Sequence, residues 1–349
     1  MLADLIKTRA VVFGILAVIH LMALLPKLPA AESNYWSGAP VFIVQDPEAT
    51  KDFRPRPDHI QAMISCALTN LTAKTNLTAA WLSLVSTQDI IGIKVFSEPG
   101  PNSGTRPAVV VAVIEGLLAA GVPPDHILIW DKRQIDLRLA GFTTLGKSLG
   151  VRVASSAEAG YDETKFYETP LLGNLVWGDL EFGKKDYVIG RKSFVSKLVT
   201  GQMTRIINIT PLMNHNEAGV TGNLYSLALG SVDNIARFEV DADRLARAVP
   251  EIYALPSLSD RVALNIVDAL ICQYEGEERS LLHYSTVLNQ LRFSRDPVAL
   301  DVLSLQELDA QRLASKAPPV KTNLDLFNNA ELIELGMSDP KKIRVINLP

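Results

Sequence analysis

The sequence predicts an α/β fold with a mostly parallel or mixed sheet flanked by helices, and three observations carry that expectation. β-Rich runs such as "DIIGIKVFS" alternate with helix-patterned runs such as "TRPAVVVAVIEGLLAAG", the order that builds βα units. Gly- and Pro-rich turns separate these runs, as in "EPGPNSG". The 349 residues are 48% hydrophobic and 21% charged, the composition of an ordinary folded chain.

The elements follow in order. Residues 1–31 are expected to be a signal peptide or N-terminal anchor, and 32–349 a single α/β domain. Lys7 and Arg9 precede an apolar run from Ala10 to Leu25, then prolines and the small residues Ala30 and Ala31, a secretory-signal layout. The run is shorter than the roughly 20 residues that span a bilayer comfortably. Cleavage near Ala30 or Ala31 leads, an uncleaved anchor is the alternative, and a cytosolic chain with a buried first helix is the third reading. The expected location is therefore exported, periplasmic or extracellular, with a membrane contact only through an uncleaved N-terminal segment.

Apolar residues recur at helical spacing over 58–72, with Asp58 as the expected N-cap. A strand over 89–97 leads through "SEPGPNSGTRP" into a helix with an early proline and a terminal glycine. A strand over 126–131, a helix over 134–148 and a strand over 151–156 continue the alternation. Between 157 and 200 aromatics, glycines and charges mix without a sustained period, which predicts a hairpin-rich insertion able to roof a cleft. A strand over 205–212 delivers "PLMNHNEAGVTGNLYSLALGSVDN". A helix near 241–250, strands over 263–271 and 285–294, helices over 296–314 and 324–335 and a terminal strand complete the chain.

Charge and cysteine content exclude some functions. The net charge is -4 with no basic stripe, so nucleic acid is not an expected partner. Two cysteines, Cys66 and Cys272, are too few for a common iron–sulfur cluster or an all-cysteine zinc site. No iron–sulfur cluster is expected, and the cofactor is otherwise unknown. Their apolar contexts favour buried thiols over a disulfide. The triplets at Asn70, Asn76 and Asn208 fit the glycosylation pattern, the third within an apparent strand.

Candidate site residues gather where strands end. Ser103, Gly104, Thr105 and Arg106 lie between a strand and a helix start, where unpaired amides and the helix dipole favour an anion; a tight turn capped by Thr105 is the alternative. His215, a tentative catalytic residue, follows a strand, the position where open α/β sheets collect ligands. Beside it Asn214 and Asn216 can donate and accept, Gly219 and Gly222 admit close backbone approach, and Thr221 adds a hydroxyl. Asn and Gly are equally the residues of turns. Lys94, Asp131 and Asp268 are candidate ligand, second-layer or metal contacts. A charge inside the apolar strand around Asp268 needs a partner, for which Lys94, Arg292 and Arg295 are candidates; Asp296 and Asp301 can bind a cation or take a proton, and Asp296, before a proline, can equally cap a helix.

The ordered blocks "DIIGIKV", "GTRPAVVVAVIEGLLAAGV", "ILIWD", "INITPLMNHNEAGVTGNLYSLALGSVDN", "NIVDALICQYEG" and "SRDPVALDVLSLQEL" resemble domain of unknown function family 362, in the exported subgroup without iron–sulfur modules. The resemblance covers roughly residues 55–348. Locally, "GTRPAVVVAVIEGLLAAGVPPDHILI" is faintly similar to the N-terminal lobe of the nickel-pincer lactate racemases, which implies that Thr105 and Arg106 contact an anionic ligand. Departures from the family pattern fall on the site. Met213 stands where the family carries Lys before the His, Tyr225 and Ser226 where it carries Lys-Asn, and Phe96 where it carries Asn.

The leading expectation is an exported protein whose loops 97–107 and 212–226 form one cleft for a small anionic or polar ligand. One alternative is a degenerate member that acts as a structural or partner-binding module without catalysis, its cleft plugged by Phe96, Met213 or Tyr225. Another is a racemase- or isomerase-like enzyme.

Overall fold

The computed structural model describes residues 39–184, 188–318 and 323–349, all within the unit Gly38–Pro349. The expected leader lies outside the described residues.

The first strand, β1 (Ala39–Gln45), buries Ala39, Val41, Phe42 and Val44, and the short β2 (Thr50–Lys51) and β3 (Arg54–Pro55) pair with each other. α1 (Pro57–Thr72) starts at Pro57, so Arg56 takes the N-cap position and Asp58 lies one residue inside the first turn. There its charge still favours the positive end of the helix dipole. α2 (Leu77–Leu82) is capped by the Asn76 side chain. β4 (Ile91–Val95), α3 (Pro107–Ala119) and β5 (Ile127–Asp131) form the first βαβ unit.

The helix expected over 134–148 is two, α4 (Gln134–Leu139) and α5 (Phe142–Leu149). Gly141 between them has φ +88°, a conformation that L side chains rarely adopt and that no α-helix continues through. β6 (Arg152–Ser155) and the four-residue α6 (Ser156–Ala159) follow. The insertion is one long hairpin, β7 (Tyr161–Asn174) against β8 (Ile189–Ser196).

β9 (Arg205–His215) runs three residues past the expected end, and its residues from Ile206 onward are buried. The short β10 (Gly219–Val220) folds back on it, pairing Gly219 with His215. α7 (Asn223–Ser231) is wholly buried, and α8 (Ala242–Tyr253), β11 (Val262–Gln273), β12 (Ser285–Ser294), α9 (Pro297–Ala314), α10 (Asp325–Leu332) and β13 (Ile343–Leu348) complete the order. The stretch 212–226 is thus strand, turn, strand and helix start.

The main sheet has the order β13-β1-β12-β11-β9-β4-β5-β6, with β10 on β9. β11, β9, β4, β5 and β6 run parallel, and β12 pairs antiparallel with both β1 and β11. The sheet is mixed and both faces are covered. Ile60, Trp81, Val113 and Phe142 pack with Ile93 and Ile209 on one face. Leu224, Leu245, Leu300 and Phe327 pack with Trp130 and Val267 on the other. Burial on both sides turns the strands into continuous apolar runs; each large side chain fully buried contributes about 1.5–3 kcal/mol.

From β4 the chain winds outward to β5 and β6, then returns to β9 on the opposite side of β4. This reversal puts the carboxyl ends of β4 and β9 at a topological switch point, where open α/β sheets hold ligands. Among the described residues, no helix is long and apolar enough to cross a membrane.

Candidate functional site at the carboxyl edge of the sheet

The strands β4, β5, β9 and β11 end side by side, and the sequence-derived candidates sit on those ends. Side chains alternate between the two faces of the sheet, and this divides the candidates into two groups.

On the α7 face, the buried Lys94 ammonium donates to Asp131 Oδ1 at 2.8 Å, to the Val95 carbonyl at 2.7 Å and to Ser226 Oγ at 3.1 Å. Burial pushes its pKa down, and the Asp131 charge opposes that. Asp131 Oδ2 accepts from the amide and the hydroxyl of Ser97 at 2.7 and 2.6 Å, so every charge in this group is matched. Gly230 of α7 is required here, because a Cβ would stand 2.4 Å from Lys94 Cε. Beside Lys94 in register lies Asn208, whose amide donates to the Asn223 carbonyl at 3.0 Å. Two buried atoms on this face of β9, Asn208 Oδ1 and Thr210 Oγ1, have no hydrogen-bond partner.

On the α3 face stands Asp268, which takes as its partner a residue outside the expected set. Its Oδ1 pairs with Arg106 Nη1 at 3.0 Å, and its Oδ2 accepts the Arg106 backbone amide at 3.0 Å. Lys94 and Arg292 point into the other layer, where Asp131 and Glu307 hold them; alternation separates them from Asp268. The remaining Arg106 nitrogen Nη2 donates to the carbonyls of Asn102 and Ile271 at 3.0 and 3.4 Å. Thr105 Oγ1 donates to the Ile209 carbonyl at 2.7 Å and accepts the Phe96 amide at 2.9 Å. A Cβ on Gly104 would meet the Phe96 carbonyl at 2.6 Å, which explains the glycine. The amide-rich helix start expected to hold an anion therefore holds the chain's own carboxylate, Asp268.

The same arrangement recurs at α7. Asp301 Oδ1 accepts the amide and side chain of Asn223 at 2.7 and 2.9 Å, and Oδ2 accepts the Leu224 amide at 2.9 Å. Burial pushes its carboxyl up to about 7 against these donors. Gly222 is the cradle, since a Cβ would meet Asp301 Oδ1 at 2.4 Å. Asp296 is the N-cap of α9, accepting from the Ala299 amide at 2.8 Å. The capping role of Asp296, which precedes a proline, was open in the sequence; the reach of Asp301 to α7 was not.

His215 is buried with its ring 4.4 Å from that of Tyr225. Its Nδ1 accepts the amides of Glu217 and Ala218 at 3.2 and 3.0 Å, so a neutral ring carries its proton on Nε2. Asn214 Oδ1 accepts the Glu277 amide at 3.1 Å, and Glu277 Oε1 accepts the Asn216 amide at 2.8 Å. Thr221 donates to the Asn214 carbonyl at 3.4 Å. Gly219 has φ +82°, as its turn requires.

The two candidate loops are joined by the β11–β12 connection. Glu277 binds the Asn214 side, and Ser280 Oγ accepts from Ser103 Oγ at 3.2 Å. Phe96, Met213 and Tyr225 are all buried. The β7–β8 hairpin is tied to the segment after α7, where Asp233 accepts the Leu180 amide and the Phe194 amide. A cleft of about 500 Å³ lies at the outer strand β6, lined by Arg152, Ser155, Glu158 and Gln202 among others, none from either candidate loop. Among the described residues no group of three or more His, Cys, Asp or Glu is placed to hold a metal. Cys66 and Cys272 are free thiols, and burial pushes that of Cys272 up to about 12. Asn70 and Asn76 are exposed and Asn208 is buried.

No curated protein matches the chain. A crystal structure of a Thermotoga maritima protein from a structural genomics consortium is similar at 12% identity and TM-score 0.40. The match covers 75% of this chain but only 60% of that one. Residues 91–306, from the first residue of β4 to the middle of α9, match the family described as Domain of unknown function (DUF362). That span is more than half of the chain and includes the whole carboxyl edge described above, so the protein belongs to the DUF362 family.

Proposed function

We infer that this chain is a degenerate member of its family, a structural or partner-binding module without catalysis, with the carboxyl edge of its sheet filled by its own side chains. One observation carries the reading: Asp268 fills the anion position at the start of α3 and takes both Arg106 Nη1 and the Arg106 amide. An external anion would have to displace a buried, charge-paired carboxylate, which costs about 3–5 kcal/mol when one partner is left unmatched. Tyr225 beside His215 and Met213 at the family's lysine position strengthen the reading, because they put apolar bulk where charge-assisted contacts would act. Residues 1–31 serve in it as an export signal or anchor, and the body works outside the cytoplasm.

A second reading keeps a small polar ligand between β9 and α7, in a cleft bounded by loops 97–107 and 212–226. The unpartnered Asn208 Oδ1 and Thr210 Oγ1 favour it, since buried polar atoms without partners are rare unless water or a ligand completes them. Thermal-shift titration of the full chain with inorganic phosphate, sulfate, acetate and lactate separates the two. The module reading expects no saturable change in Tm. A rise that saturates with ligand concentration, as binding to the folded state alone produces, overturns it.

A further inference from the structure

The main sheet ends at β6, and the outer side of that strand is open. β6 pairs with β5 in a continuous parallel register, from Arg152 beside Leu128 to Ser155 beside Asp131. Among the described residues no strand flanks it on the other side. Outside the ladder with β5, no group among the described residues bonds the backbone amides or carbonyls of Arg152, Val153 and Ala154. β4 and β5 are buried throughout, whereas Arg152 is exposed and Val153 and Ala154 are half-buried. Such an edge is a template for one more strand. A proline or a bulge guards many edges, and β6 has neither.

The cleft of about 500 Å³ follows this edge. All four residues of β6 line it, with Leu128, Ala159 and Leu198 as apolar lining and Gln134, Glu158 and Gln202 as polar lining. Alternation puts Arg152 and Ala154 on one face of the strand, and their register with Leu128 and Trp130 makes it the α7 face. Arg152 is the first residue of β6; its guanidinium donates to the Gln202 side-chain carbonyl and meets no carboxylate among the described residues. Glu158, in α6 just past the strand, makes no ion pair among them either. The cleft therefore has apolar lining, an unpaired cation where β6 begins and an unpaired anion just after it ends.

We propose that this cleft binds an extended peptide segment of a partner protein, which adds to the free edge of β6 as a further strand. Recognition by strand addition takes affinity from main-chain hydrogen bonds and specificity from pockets for alternate side chains. β6 offers the first and the cleft the second. The charges define the segment: an acidic side chain meets Arg152, an apolar one covers Leu128 and Ala154, and a basic one meets Glu158. Side chains two residues apart share a face of a strand, and four residues extend about 13 Å, the length of β6 itself. The segment thus carries its acid and its base four positions apart around an apolar centre. A second copy of the chain is the other occupant of a free edge, but two sheets covered on both faces and paired edge to edge leave the cleft empty, whereas a lone strand brings side chains into it. The cleft shares no residue with loops 97–107 and 212–226, so the inference goes beyond the reading of the carboxyl edge and can fail without it.

Random peptides displayed on phage are selected on the immobilised full chain and counter-selected on Arg152→Glu. Arg152 is exposed, so the substitution leaves the packing intact. The expected result is enrichment of sequences with an acid and a base four apart around an apolar residue. A synthetic peptide of that pattern should bind saturably in fluorescence anisotropy. Arg152→Glu should weaken it at least about threefold, since a surface ion pair becomes a like-charge contact, and changing the acid of the peptide to lysine should restore binding to that variant. N-methylation of one alternate set of peptide amides should weaken binding at least about tenfold, because several main-chain bonds are lost together; the other set faces solvent and should be spared. No enrichment on the wild type over Arg152→Glu overturns the proposal. So does a selected peptide that binds equally well in both N-methylated forms, since it then docks through side chains alone. A dimer in sedimentation velocity that Arg152→Glu dissolves overturns it in favour of β6 pairing between copies.

Discussion

At the scale of single residues, Arg106 shows how a side chain with the right chemistry can be spent on the fold. Sequence placed it correctly, at the start of a helix after a strand. What it meets there is Asp268 from a strand 162 residues away, with the guanidinium and the backbone amide bound to opposite oxygens of one carboxylate. Replacing Arg106 by Met leaves Asp268 buried without its cation, and replacing Asp268 by Asn leaves the guanidinium without its anion. Each should destabilise by about 3–5 kcal/mol. The double variant should lose clearly less than the sum, because the two changes remove one shared interaction. Urea denaturation of the four proteins measures the coupling, and additive losses would mean that the pair does not act as a unit. The same lesson holds for Lys94, whose burial and whose match to Asp131 could not be told from its neighbours in the chain.

Helix starts dominate at the scale of elements. α3, α7 and α9 each begin at a buried acid, Asp268, Asp301 and Asp296, and only the last belongs to its own helix. Burial pushes Asp301 up to about 7 and Asp296 and Asp233 up to about 6 from an ordinary 3.8. A carboxyl whose folded pKa is raised keeps its proton in the folded protein over a pH range where the unfolded chain has lost it. Its contribution to stability is then greatest below about pH 4 and declines as pH rises to about 7 for Asp301 and about 6 for the other two. Asp301→Asn removes that titration and keeps an acceptor for one amide of α7. Moving from about pH 7.5 to about pH 5 should therefore stabilise the wild type by at least about 1 kcal/mol more than Asp301→Asn. Urea midpoints at the two pH values test this, and parallel responses would mean that Asp301 is ionised throughout.

For the whole molecule, the centre of the main sheet is held on every side, whereas β7 and β8 form a separate two-stranded sheet. β4, β9 and β11 are buried on both faces and paired on both sides, so their amides should exchange only through global opening. The amides between β7 and β8 near Trp177 should exchange through local opening at lower free energy. Native-state hydrogen exchange followed by mass spectrometry distinguishes the two classes; equal protection would mean that the hairpin opens only with the core. Much of this architecture was legible in the sequence. The parallel strands read as apolar runs, the helix starts carried their prolines, and the break in alternation after 157 marked the hairpin, because each of these signals is local and repeats with the period of its element. The stretch 212–226 reads as a loop from its Asn and Gly residues, which suit turns, whereas burial on both sides extends β9 to His215 and starts α7 at Asn223. The sequence by itself determined the fold class, the order of elements and the residues that stand at strand ends. Only the tertiary structure decided which of those residues face one another, since facing depends on sheet order and on which side of the sheet each side chain points, and neither is written in any short stretch of chain. That is why Asp268 was visible as a charge needing a partner, while the identity of the partner, Arg106, was not.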